Sequence, residues 1–355
     1  MTRTSLVFTS KFYAHDTGPD HPETPRRLKV IMRELKRLDL FPSAKCRLVS
    51  PRLGSLEDLE LVHTREHIEL VKRVCEQGGG LLDLGDTVVS PESYKVSRYA
   101  VGGVLDAVDL VLSGESNNAF ALVRPPGHHA GPYYAAGFCL FNNVAVAASH
   151  LLKRRDLERV LIIDVDAHHG NGTQEIFYKT NRVLYVSLHE NPHDFPGTGF
   201  IEEVGEDEGL GYNVNIPFPF GVGNSSYLKA IKEIVIPIAQ QYEPQFILVS
   251  AGYDGYYRDP VAKLSLSAAA YSSIFERTLH LASTLCDGRF VAALEGGYNL
   301  RHLGKLVALT ISKMACFEYP IEKEEPRMKS KPEKQAKRII EEVKNAQSAY
   351  WDLAP

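Results

Sequence analysis

An α/β fold, with a central mainly parallel β-sheet and helices on both faces, is predicted by three features of this sequence. Short β-branched apolar runs recur, segments of helical periodicity lie between them, and polar clusters follow the ends of the runs. The runs fall at residues 119–123, 160–163, 183–188, 246–250 and 290–294. Helical spacing of apolar residues is evident at 140–152, 227–240 and 268–285. No internal repeat is present. The composition shifts after about residue 318, where a Lys- and Glu-rich stretch places Ala336, Ile339, Ile340 and Val343 at helical spacing. One amphipathic helix is expected there, packed on the domain or on a second subunit, which leaves a homo-oligomer open. A solvated charged tail is the plainer reading of the same stretch.

The 355 residues are 44% hydrophobic and 24% charged, an ordinary soluble globular balance with enough chain for a large core and a deep pocket. A formal net charge of −4 gives no general pull toward nucleic acid or anionic membrane, so direct nucleic-acid binding is not expected. The five cysteines, Cys46, Cys75, Cys139, Cys286 and Cys316, include no CxxC pair, so neither a disulfide framework nor a thiolate zinc site is indicated. The N-terminal residues lack the apolar core of a signal peptide, and no run of about 18 apolar residues suggests a membrane span. A cytoplasmic protein is expected.

In open α/β sheets ligands bind at the carboxyl ends of strands, and the chemistry-bearing residues of this chain follow the apolar runs. The first cluster is Asp164-Val165-Asp166-Ala167-His168-His169-Gly170-Asn171. Extended backbone would direct Asp164, Asp166 and His168 to one side. Asp254, after the 246–250 run, could add a third ligand. Two carboxylates and one imidazole suit Zn²⁺ with a vacant position for water, as a catalytic site requires. Asp164 and Asp166 alone could equally be caps of the next helix. A rigid Pro125-Pro126-Gly127 turn presents His128 and His129, which suit general base catalysis, though such a pair could also be a polar loop or the metal site itself. Tyr298 follows Gly296-Gly297, which frees the backbone to project a phenol inward. Phe138 and Phe195 lie near Gly137 and Gly197, and each alone reads as packing.

Seven motifs in order resemble the zinc-dependent histone deacetylase family, which includes acetylpolyamine amidohydrolases and acetoin-utilisation proteins. They are HPETPRRL (21–28), RPPGHHA (124–130), GFCLFNN (137–143), IDVDAHHGNGTQ (163–174), SLHENPHDFPGTG (187–199), SAGYDGYYRDP (250–260) and LEGGYN (294–299). Their forms are more similar to the class II and prokaryotic branch than to class I. The resemblance implies the arginase/deacetylase fold, with a catalytic domain over 1–318 and a charged extension over 319–355. It implies Zn²⁺ on Asp166, His168 and Asp254, His128 and His129 as the catalytic pair with Asp164 and Asn171 behind them, and Tyr298 donating to the substrate carbonyl. Phe138 and Phe195 would wall a tunnel, with the Gly137 carbonyl receiving the substrate amide N–H and Arg27 lining an internal cavity near the product exit. It further implies structural K⁺ at one or two sites. The first would use Asp164, Asp166, His168, Ser187 and Leu188, and the second Phe177, Thr180, Val183 and Tyr212.

By the resemblance His128 faces Asp164 and His129 faces Asn171. A carboxylate favours the imidazolium and a neutral amide does not, so His129 is expected to be the general base. The substrate is then an acetylated protein or peptide lysine, or a small acetylated amine such as an acetylpolyamine. Eukaryotic polyamine specialists carry a Glu where Val261 stands, which disfavours that version of polyamine selection. Asp86 matches, loosely, a loop residue that grips a peptide backbone in some relatives. A non-catalytic acyl-lysine binding module is disfavoured because every ligand, base and tyrosine position holds a competent residue. An arginase-like binuclear site is disfavoured because Gly170 follows His168-His169 where a further acid would be needed.

Overall fold

Continuous apolar runs belong in a sheet covered on both faces, and these runs form one. The computed structural model describes residues 4–41, 45–321, 324, 326 and 330–353. Its strands are β1 (Thr4–Val7), β2 (Cys46–Val49), β3 (Asn118–Ala121), β4 (Val160–Asp164), β5 (Val183–Glu190), β6 (Asn213–Phe218), β7 (Phe246–Ala251) and β8 (Phe290–Leu294). They form one eight-stranded sheet in the order β2-β1-β3-β8-β7-β4-β5-β6, and every neighbouring pair is parallel. The expected strands all appear, with ends shifted by a residue or two. A small antiparallel hairpin, Gly80–Leu81 with Val88–Val89, stands apart from the sheet.

Three strands carry no readable apolar run. β1 and β2 are four residues each, and β2 contains a half-buried Arg47. β6 carries buried Asn213 and Asn215 together with Pro217, which an edge strand tolerates because one side needs no ladder donor.

Two groups of helices flank the sheet. Arg26–Arg37, Ala268–Leu285 and Leu303–Met314 pack on one another, as do Ser93–Leu112 and Asn143–Arg154. The helix expected over 227–240 is instead three pieces, Asn224–Ala230, a π-turn at Ile231–Val235, and Ile236–Tyr242. Pro237 brings no N–H to the ladder, so the hydrogen-bond register widens just before it. The C-terminal helix forms at Ser330–Gln347 and lies on the same chain, against β6 and Asn224–Ala230. Ala336, Ile340 and Val343 are fully buried there, while Ile339 is half-buried. Glu333 fixes its start by accepting from the Gly223 N–H (2.9 Å) and the Ser226 hydroxyl (2.5 Å), and the Trp351 indole fixes the following turn on the Gly211 carbonyl (2.7 Å). Among the described residues no helix is long and apolar enough to cross a membrane.

Candidate active site

Four adjacent central strands, β3, β8, β7 and β4, have carboxyl ends at one edge of the sheet. The polar clusters follow those four ends, so the sheet order itself gathers residues that are far apart in sequence.

Asp166, His168 and Asp254 meet there. One ligand atom from each lies within 4.8 Å of the others. His168 Nδ1 is 2.9 Å from Asp254 Oδ2 and 3.4 Å from Asp166 Oδ1. The other carboxylate oxygens are anchored to backbone, Asp254 Oδ1 on the Ala167 N–H (2.9 Å) and Asp166 Oδ2 on the Gly296 N–H (2.8 Å). A Cβ at Gly296 would stand 2.5 Å from Asp166 Oδ2, so only glycine allows that approach. Two buried carboxylates held at their outer oxygens and one imidazole nitrogen fit a single divalent cation. Neither Asp164 nor Asp166 caps a helix, since Asn171–Phe177 begins after Gly170 with no side-chain cap. Asp164 stands beside the cluster and His169 turns away to Thr198 (3.1 Å) and Gln174 (3.0 Å).

A second trio of potential ligands, His128, Cys139 and Glu295, is also buried. His128 Nδ1 is already committed to Asp164 there, and burial pushes the Cys139 thiol well above its usual range, away from the thiolate a metal needs.

The histidine pair divides as the two partners dictate. His128 Nδ1 is 3.1 Å from Asp164 Oδ2, and His128 Nε2 is 3.8 Å from Asp166 Oδ1. Burial opposes its charge, but Asp164 and then Asp166 outweigh that and raise the imidazolium to about 10. His129 Nδ1 donates to Asn171 Oδ1 at 2.7 Å, because the amide nitrogen of Asn171 is turned to the Tyr134 hydroxyl (3.0 Å). That leaves His129 Nε2 as the unprotonated nitrogen. Burial first, and the charge of His128 next, hold this ring well below its ordinary value.

Tyr298 is 9% exposed and turned into a cavity of about 490 Å³ shared with His129, His168, Gly137, Phe138, Phe195, Glu190, Asp86 and Val261. Gly297 before it has φ +115°, the freedom its position requires. Gly137 has φ +52°, and a Cβ there would meet the His129 ring at 2.4 Å. Phe195 packs edge-on against His129 (4.9 Å), and Phe138 against Tyr298 (5.8 Å). Arg27 is not among the residues that line this cavity. It is fully buried behind Tyr298, its guanidinium 4.9 Å from the ring, with donors on Glu23, the Gly297 carbonyl (2.7 Å) and the Glu295 carbonyl.

The histone deacetylase domain matches residues 21–314. The chain belongs to the histone deacetylase family. It is 40% identical to a probable deacetylase of Archaeoglobus fulgidus over 98% of both chains, and 39% identical to a histone deacetylase-like amidohydrolase of Pseudomonas aeruginosa over 79% of this chain and 72% of that one. It is 39% identical to histone deacetylase 15 of Arabidopsis thaliana but spans only 62% of that longer protein. The crystal structure of the HDA15 HD domain superposes with a TM-score of 0.88 at 35% identity, covering 99% of this chain and 96% of that one. With the sheet order described above, this establishes the arginase/deacetylase fold of the family.

Of the residues expected to hold monovalent cations, Ser187 and Leu188 lie within β5 and Val183 opens it. Asp164 and Ser187 are register partners in β4 and β5, and Tyr227 donates to the adjacent Leu188 carbonyl (3.2 Å). Near the start of β5 the Tyr212 carbonyl accepts from the Tyr185 N–H (2.9 Å), and in the segment before it the Phe177 carbonyl accepts from the Thr180 N–H (3.2 Å).

Three residues of this histone deacetylase family site were not singled out by the sequence reading. Glu295 Oε2 accepts the N–H groups of Gly127 (2.6 Å) and His128 (3.2 Å), tying the histidine turn to the end of β8. Asp259 accepts the N–H groups of Tyr298 (2.7 Å) and Asn299 (3.1 Å), and so positions the phenol. Burial, and Asp254 after it, raise its carboxyl to about 7. Glu190 ends β5 on the cavity wall. Each lies inside a motif quoted for the resemblance, where an acid next to a better-known residue drew no separate argument.

Proposed function

We propose that the protein is a zinc-dependent deacetylase that hydrolyses the acetyl amide of acetyl-lysine in proteins or peptides, releasing acetate and the free amine. One arrangement carries this reading. Asp166, His168 and Asp254 converge beside the cavity that also holds His129 and Tyr298. The names of the relatives and the family match support deacetylase-type hydrolysis at the coarser level.

A bound zinc supplies Lewis acidity to the acyl carbonyl and the attacking water. The remaining work falls to side chains. Nε2 of His129 accepts a proton from the attacking water and returns it to the leaving amine nitrogen. His128 stays cationic against Asp164, so its charge favours the negative tetrahedral centre. The Tyr298 hydroxyl donates to the carbonyl oxygen as charge develops on it. The Gly137 carbonyl receives the amide N–H, Phe138 and Phe195 flank the aliphatic chain, and Asp86 at the mouth holds a peptide backbone. If K⁺ is bound, Asp164, Asp166, His168, Ser187 and Leu188 would hold it at one site and Phe177, Thr180, Val183 and Tyr212 at a second.

The test is a panel assay of the zinc-loaded protein with acetyl-lysine peptides, acetylputrescine, acetylspermidine and longer acyl-lysines. Turnover of acetyl amides is expected, with Tyr298→Phe lowering kcat by about 10²–10³. No turnover of any acyl amide would overturn the reading in favour of a binding module. Turnover of acetylputrescine or acetylspermidine in preference to the peptides would favour a second reading, hydrolysis of small acetylated amines.

A further inference from the structure

A side-chain amide has two ends that fill the same space, one that donates and one that accepts. Turned end for end, Asn171 would offer Nδ2 to His129 Nδ1, and the ring proton would move to Nε2, the nitrogen that must accept from water. His129 is therefore a base only while Asn171 keeps one orientation. The contacts that fix it lie on the far side of the amide. Asn171 Nδ2 is 3.0 Å from the Tyr134 hydroxyl, and its contact with the His129 carbonyl is longer and weaker at 3.5 Å. A hydroxyl alone serves either end of an amide, because it can donate or accept. Glu175 makes this one directional. It stands one turn beyond Asn171 in the helix Asn171–Phe177 and accepts from the Tyr133 hydroxyl at 2.6 Å. Burial first, and a hydrogen bond to Glu175 next, raise the Tyr134 phenol above its ordinary value. A carboxylate only accepts, so the phenol proton is committed to Glu175 and lone pairs face Asn171.

The turn that carries Tyr134 is built to place its ring. The Gly131 N–H donates to the Tyr134 carbonyl (3.0 Å), and the Gly131 carbonyl is 2.9 Å from His63 Nδ1. Gly131 does not have a left-handed φ, so the backbone itself does not call for glycine. Space does, because a Cβ there would stand 2.3 Å from the Tyr134 ring. Tyr134, Asn171 and Glu175 line a second cavity of about 740 Å³, and none of the three lines the cavity shared by His129 and Tyr298. We propose that Tyr134 and Glu175 are positioning residues for the general base. They set the polarity of a line of hydrogen bonds that runs from His129 Nδ1 through the Asn171 amide and the Tyr134 hydroxyl to the Glu175 carboxylate. The inference rests on the reading of His129 as the base of a deacetylase, and it adds two residues that touch no substrate. No proton travels along the line. It holds each proton on its own donor, which keeps His129 Nε2 free.

Acetate release from an acetyl-lysine peptide would be measured for zinc-loaded wild type, Tyr134→Phe, Glu175→Ala, Asn171→Ala and the two doubles with Asn171→Ala. Tyr134→Phe is expected to lower kcat about tenfold with KM within about twofold, and Glu175→Ala to lower kcat by less. Once Asn171 is alanine, neither change should lower kcat by more than about a further twofold, because residues that act as one unit do not add. A merely structural loss would multiply with Asn171→Ala instead. The tautomer of His129 gives a readout that needs no hydrolysis, from ¹⁵N NMR of histidine-labelled protein assigned against His129→Gln. The wild type should show the neutral ring protonated at Nδ1, and Tyr134→Phe a mixture of both tautomers. Wild-type kcat and tautomer in both single variants, or losses that multiply in the doubles, would overturn the proposal. If Tyr134→Phe folds poorly, Glu175→Ala, at a half-buried position, decides by the same two readouts. A tautomer shift in the variants, with no acyl amide hydrolysed by the wild type, would sink the deacetylase reading and leave the polarity claim standing.

Discussion

The floor and the rim of the cavity are built differently. On the floor Asp164, Asp166, Asp254 and His128 are at most 2% exposed, and each is tied to backbone or to a buried partner at a strand end. On the rim Leu84 is fully exposed and Phe195 is 41% exposed, on loops outside the main sheet. A reacting group must be held to a fraction of an ångström, which only a packed scaffold achieves, whereas substrate choice tolerates a loop. The chemistry is therefore fixed by the order of the strands, and selectivity by what hangs over them.

Several measurements would sharpen or break that contrast. The largest effect should come from Glu23, beneath the floor, which is fully buried and paired with Arg124 (2.6 Å at both oxygens) and Arg27 (3.1 Å). Glu23→Gln leaves two buried guanidinium groups without their counter-ion and should cost about 3–5 kcal/mol in denaturant unfolding. Burial alone would raise this carboxyl, but Arg124, and Arg27 after it, bring it down from 4.5 to about 2. The native carboxyl is thus the more acidic one, so its contribution is fully present above about pH 4.5 and fades as pH falls toward 2. The gap between wild type and Glu23→Gln should close over that window. A loss below about 1 kcal/mol at neutral pH would show that the cluster does not support the floor.

Smaller, but still on the floor, is Asn171→Ala. It removes the acceptor that holds His129 in its reactive tautomer, and acetate release should fall about ten- to a hundredfold, part of the 10²–10⁴ a positioned base contributes. Unfolding should stay near wild type, which separates misplacement of the base from loss of structure. Smallest is the rim. Leu84→Ser should change unfolding by no more than about 0.5 kcal/mol and leave turnover of a small acetylated amine within about twofold. A large loss of kcat there would erase the distinction between floor and rim.

The same contrast explains what was legible in the sequence. Strands β4, β5, β7 and β8 are buried on both faces, so their apolar runs stand out, and the residues after them read as one site because strand ends converge. β6 was not legible because Asn213 and Asn215 face Gln174 (2.8 Å each) inside the fold, a polar contact that has no periodic signature. Glu295, Asp259 and Glu190 were hidden for a related reason. Their roles lie in hydrogen bonds to the backbone of distant segments, Gly127, Tyr298 and Lys263, and such pairs become neighbours only once the sheet is assembled. The resemblance puts Arg27 on an internal cavity near the product exit, whereas its contacts with Glu23 and two carbonyls behind Tyr298 are of the kind only the assembled fold displays.

The central claim is that Asp166, His168 and Asp254 share one catalytic ion, and metal stoichiometry tests it most directly. Chelator-stripped protein would be reloaded with Zn²⁺, and bound zinc and acetate release measured together for wild type and Asp254→Ala. The account predicts one zinc per chain, acetate release that rises in step with it, and loss of both in a folded Asp254→Ala. Acetate release at the full rate from metal-free protein, or unchanged zinc binding in Asp254→Ala, would contradict it.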